Sequence, residues 1–129
     1  MKHTLSRFAS LLAASAAFAL LPLAARAADG SAPAKSGDVT VTGEVLDMAC
    51  YLDHGAHGAK HADCANTCIS KGLPVGLKSA DGTVYLLIGE HKPINEALTG
   101  SGGKTVTIKG KLVTRDGIKL IENAEVATM

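Results

Sequence analysis

The stretch Val39-Thr40-Val41-Thr42-Gly43-Glu44-Val45 decides the fold class. In an extended chain Val39, Val41, Gly43 and Val45 fall on one side and Thr40, Thr42 and Glu44 on the other, the period-two pattern of a half-buried strand. A glycine inside such a strand marks a bend or a close backbone approach. Thr105 to Val113 repeats the pattern, with Val106, Ile108 and Leu112 on one face and Gly110 in the fourth place. Pro74 to Ser79 and Thr83 to Ile88 flank the turn Asp81-Gly82 and read as a hairpin. Arg115-Asp116-Gly117 turns the chain into a last strand, Ile118 to Val126, interrupted near Asn123. Pro93 to Leu98 makes a short helix that stops before Gly100. Gly43 and Gly110 would let a small sheet of five strands curl until it closes. The expectation is a mainly β protein: a small five-stranded OB-like, partly open barrel with a Cys/His-bearing helix after strand 1 and a short helix before strand 4. An open β-sandwich, or a meander carrying one helix, satisfies the same pattern.

Upstream, residues 1–27 read as a cleavable secretory signal. Lys2 and Arg7 form a basic start, Phe8 to Leu23 is almost wholly apolar, and Ala25-Arg26-Ala27 offers small residues at both positions a signal peptidase reads. The apolar run is shorter than the roughly 20 residues of a membrane span, and Pro22 interrupts its end. The chain is therefore expected in the periplasm or secreted, without a membrane span after cleavage. Residues 28–37 are Ala, Gly, Ser, Pro and Lys without periodicity, a flexible leader, and 38–129 make a single domain. Cleavage removes three basic residues and no acid, leaving ten against twelve and a formal charge of −2. Slight acidity, with Tyr51 and Tyr85 as the remaining aromatics, speaks against a nucleic-acid partner, which needs cationic charge and stacking platforms.

The chemistry is concentrated between Cys50 and Cys68. All three cysteines, and three of the four histidines outside the signal, lie in those nineteen residues. Lys60 to Lys71 suits a helix of about three turns, with Gly72 and Pro74 as its stop. At about 100° per residue His61, Cys64 and Cys68 fall within about 60° of one another, so all three can point at one atom. Cys50, expected at the end of the first strand where the chain leaves the sheet, supplies a fourth ligand. One His and three Cys form a tetrahedral set for zinc, and soft thiolates also suit copper(I). His54 and His57 sit in a Gly-rich stretch read as loop and are auxiliary ligand candidates. Met48 is better read as core than as a thioether ligand.

Simpler readings compete. A buried cysteine can be a small hydrophobe, and His-x2-Cys-x3-Cys is less diagnostic than paired Cys-x2-Cys knuckles. Export favours a disulfide, in which Cys50 bridges Cys64 or Cys68 and leaves one thiol over, while a Cys64–Cys68 bridge within a regular helix is strained. Cys64 near a helix start, one turn after His61, would alternatively be a reactive thiol.

Taken together, Gly43-Glu44-Val45, Cys50-Tyr51-Leu52, His61-x2-Cys64-x3-Cys68, Lys71-Gly72-Leu73-Pro74-Val75-Gly76 and Val84-Tyr85-Leu86-Leu87 resemble a group of small exported bacterial proteins. The resemblance spans nearly all of the domain. It implies an OB-like β-barrel and Cys50, His61, Cys64 and Cys68 as the functional set, and it implies neither His54 nor His57 and no particular reaction. Three functions follow in order of preference. The first is an envelope metal-binding protein for copper or zinc with a structural, storage or delivery role, served by an envelope protein partner. The second is a disulfide-stapled, non-catalytic OB-like module for a sugar, peptide or partner protein, and the third a thiol-disulfide oxidoreductase. No other enzyme chemistry is suggested, since no nucleophile–base–orienter grouping lies outside the cluster.

Overall fold

The computed structural model describes residues 35–129. The expected signal, and the expected leader up to residue 34, lie outside the described residues. In chain order the elements are β1 (Lys35–Asp47), α1 (Met48–His54), a 3-10 turn (Ala59–His61), α2 (Ala62–Ser70), β2 (Val75–Ser79), β3 (Val84–Leu87), α3 (Asn95–Leu98), β4 (Thr105–Arg115) and β5 (Ile118–Thr128). β1 starts three residues before the expected domain boundary because β4 is long enough to partner it there: Lys35 lies opposite Thr114 and Gly37 opposite Leu112.

The strands close in the order β1-β2-β3-β5-β4. β1 pairs antiparallel with β4 through Glu44 and with β2 from Gly43 to Asp47, so Gly43 and Glu44 have neighbours on both sides. That double pairing bends the strand at Gly43, where a Cβ would stand 2.6 Å from the carbonyl oxygen of Lys78. β2 and β3 form the expected hairpin. The barrel is closed rather than partly open because β3 and β5 run parallel and pair at Leu86–Leu120 and Leu87–Ile121. This arrangement excludes both the sandwich and the simple meander.

The interruption near Asn123 is a β-bulge. Pairing steps from Lys109–Glu125 to Lys111–Glu122, so Gly110 faces both Asn123 and Ala124. Asn123 takes φ 51°, and a Cβ on Gly110 would lie 2.6 Å from Ile121 Cγ2. The bulge tightens the local curl that a small barrel needs.

Inside, Val45, Leu77, Ile108 and Ile121 from the strands are fully buried, and Ile69 of α2 and Leu98 of α3 join them. α2 packs on β1 and α3. The Asn95 side-chain amide fastens α2 by donating to the carbonyls of Ile69 and Leu73, both at 2.8 Å. The Asn66 side-chain carbonyl accepts from the Gly102 backbone N–H at 2.7 Å and ties the helix to the loop before β4. α2 is thus held rigidly at the end of β1, which is what brings its two cysteines to the third. Among the described residues no helix is long and apolar enough to cross a membrane.

Candidate metal centre

The site begins with a helix cap. Asp47 ends β1 with extended dihedrals, and its carboxylate accepts from the backbone N–H groups of Ala49 at 3.3 Å and Cys50 at 2.9 Å, which starts α1. Gly55 ends that helix in the left-handed region, φ 73°, with its N–H directed to the carbonyls of Cys50 and Tyr51. Cys50 therefore sits in the first turn of a helix, not at the end of a strand, and His54 belongs to the same helix rather than to a loop. The signs were present: an Asp cap, Met-Ala-Cys-Tyr-Leu, then Gly at C′. The helix is short, and the alternation running up to Val45 masked its start.

Cys64 and Cys68 lie one turn apart on α2 and share a face. The sulfurs of Cys50, Cys64 and Cys68 come within 4.8 Å of one another. The Cys50 and Cys64 sulfurs are 3.8 Å apart, and all three cysteines are free thiols. In a tetrahedral zinc–thiolate centre with Zn–S of about 2.3 Å, neighbouring sulfurs also lie about 3.8 Å apart. Three thiols placed so closely could hold a metal ion.

His61 belongs to the 3-10 turn and caps α2 with φ −108° and ψ 3°. The expected helix thus begins at Ala62, so the helical period that aligns Cys64 with Cys68 does not extend to the His61 ring. It is outside the group formed by the three sulfurs, yet it lines the same crevice as Cys50 and Cys64. Its ring lies 6.1 Å from that of His54, centroid to centroid. His57 lines the crevice too, with Nδ1–H donating to the Gly55 carbonyl at 2.6 Å and its ring edge-on to Tyr51. The crevice has room for about one water-sized sphere, ≈ 10 Å³, a space on the scale of a single ion.

Two acidic residues not singled out in the sequence shape this crevice. Glu44 accepts from the Gly58 N–H and pins the loop after α1. Asp47 is only 2% exposed and stands behind the thiols. Its carboxylate, then the neighbouring Cys64 thiol and burial, push the Cys50 thiol up from 9.0 to about 12. Burial and then the Asp47 charge also push Cys68 upward. A buried carboxylate next to thiols keeps them protonated and at the same time favours a cation among them. Asp47 could have been found as a cap, since Asp before a run of helix formers is a cap signal, but its burial against sulfur depends on how α2 folds back.

Comparison with protein-family models, curated proteins and solved structures gave no match. Met48, as expected, is core: it is buried, and its Sδ occupies the space where a Cβ on Gly76 would stand. His91 lies apart from this region in an exposed turn with φ 53°.

Proposed function

We propose that the protein is an exported metal-binding protein of the bacterial envelope that holds copper or zinc through Cys50, Cys64 and Cys68, with His61 turning in from the crevice wall as the fourth ligand. The observation that carries this reading is the convergence of three thiols from two helices within 4.8 Å. Hydrophobic packing alone does not call for such a grouping, because the barrel closes its core on Val45, Leu77, Ile108 and Ile121 without any of the cysteines. That independence favours storage or delivery over a structural stud. Exposure of the site agrees, since Cys64 is exposed and Cys50 and Cys68 are half-buried. Thiolates holding a metal are also shielded from oxidation, which accounts for an odd number of cysteines in an oxidising compartment.

Native mass spectrometry of protein purified from the periplasm tests this directly. The expected result is one copper or zinc per chain that persists through dialysis, lost in Cys64→Ser. Full alkylation of all three thiols in metal-saturated protein would overturn it.

The disulfide-stapled binding module is the second reading, with Cys50 bridged to Cys64, whose sulfur is 3.8 Å away, or to Cys68, whose sulfur lies within 4.8 Å. It requires a mass two hydrogens lower than the reduced chain, one alkylatable thiol, and no metal. A thiol oxidoreductase would use Cys64 with Cys68 or Cys50 as its resolving partner; the upward shifts at Cys50 and Cys68 disfavour the resolving step, in which one of them must attack as thiolate.

A further inference from the structure

Beside the thiols is a second arrangement of metal-ligating side chains. His54 closes the last turn of α1, and its Nδ1–H donates to the Asp53 carboxylate at 3.0 Å. That bond commits Nδ1 and leaves Nε2 as the nitrogen free to take an ion, the carboxylate–histidine pairing that fixes tautomer and orientation in metal sites. The pair is accessible, with 52% of the His54 side chain exposed. His61 faces His54 with ring centroids 6.1 Å apart and planes inclined at 59°. Two imidazoles bound to one ion at about 2.0–2.1 Å have centroids from about 5.2 Å apart at a tetrahedral angle to about 6.4 Å apart when collinear. The observed spacing falls inside that interval. His61 is also part of the crevice wall with Cys50 and Cys64. One imidazole therefore borders both an exposed histidine and the sulfur cluster.

We propose that His54 and His61, with Asp53 orienting His54, form an outer docking site for a copper(I) or zinc ion, from which His61 carries the ion to the three thiols. The proposal deepens the metal-binding reading and rests on it for the inner destination, but not for the outer pair itself. The transfer is ligand exchange: the bond from His54 Nε2 breaks as bonds from the cysteine sulfurs form, each thiol releases its proton to solvent, and no electron moves.

The test mixes reduced, metal-free full-length protein with limiting Cd²⁺ and follows thiolate-to-metal absorption by stopped flow. In His54→Asn loading is expected to slow about tenfold, with the same final absorbance. His91→Asn, an exposed change at a positive φ that Asn tolerates, should load like the unaltered protein. Asp53→Asn should slow loading and Asp53→Glu should restore part of the rate. Loading of His54→Asn at the unaltered rate would overturn the proposal. Absence of any thiolate band in the unaltered protein would defeat the inner-site reading alone. The outer pair is then decided by imidazole NMR spectra during Zn²⁺ addition: joint shifts of His54 and His61 near one equivalent support it, and an unmoved His54 signal overturns it.

Discussion

Replacing Asp47 by Asn separates two roles of one buried carboxylate. Asn caps helices as well as Asp does; its single carbonyl oxygen can keep the 2.9 Å bond from the Cys50 N–H while the longer bond from the Ala49 N–H is given up, so α1 should persist. What disappears is the carboxylate oxygen that holds the Cys50 thiol proton by a hydrogen bond, and with it the negative charge beside the thiols. The carboxylate is the largest cause of the Cys50 shift from 9.0 to about 12. At pH 8 a thiol at about 12 is ionised to about one part in ten thousand, and one at its ordinary value to about one part in ten. Full relaxation would therefore raise the thiolate population about a thousandfold, but intrinsic nucleophilicity falls with pKa, which cuts the gain in rate to about 30- to 60-fold. The Cys64 contact and burial remain in the variant, so the expected increase in Cys50 alkylation lies between about 5- and 30-fold. The assay is iodoacetamide labelling of reduced, chelated protein at pH 8, with Cys50 followed by peptide mass spectrometry and folding checked by circular dichroism. An unchanged or lower rate at Cys50 in a folded variant would refute the role given to the Asp47 carboxylate in holding the thiol protonated.

The same shift sets a pH window for stability. Because the folded pKa of Cys50 is raised, its contribution is complete below about pH 9 and is lost as pH rises toward about 12. The thermal midpoint of reduced, metal-free protein should therefore fall more steeply above pH 9 than that of Cys50→Ser, and parallel curves would contradict this. Gly110→Ala forces a Cβ against Ile121 Cγ2 and the Glu122 carbonyl at the bulge. Urea titration should show a loss of about 1–3 kcal/mol, the usual cost of overpacking. Asn95→Ala leaves the Ile69 and Leu73 carbonyls without their side-chain donor, at a cost of about 1–3 kcal/mol. Since these bonds hold α2, Cys64 and Cys68 should also exchange metal faster, which competition with a chromophoric chelator would measure.

Much of the barrel was legible in the sequence because a strand signals its buried face through nearest-neighbour alternation. Val39 to Val45 and Thr105 to Val113 carry that signal without reference to anything distant. The interruption at Asn123 and the helix ending at Leu98 were equally local. The start of β1 was less so, since Lys35 to Gly37 have no apolar alternation and are strand only because β4 extends far enough to pair with them. The site divides in the same way. Cys64 and Cys68 share a face by helical period alone, whereas the position of His61 depended on where α2 begins, and a 3-10 turn moves its ring off that period.

By itself, then, the sequence determined a mainly β domain, a helix bearing two aligned thiols, and a segment dense in metal-ligating side chains. Those properties follow from periods of two and 3.6 residues and from composition, which act over short range. Only the tertiary structure decided that the barrel closes through parallel β3 and β5, and that α2 is pinned by Asn95 and Asn66 so that its sulfurs meet Cys50 on α1. It also placed the Asp47 charge behind those sulfurs and His61 between them and His54. Each of these depends on contacts between segments remote in sequence, whose free energy is set by burial and by the geometry of the whole barrel rather than by local preference.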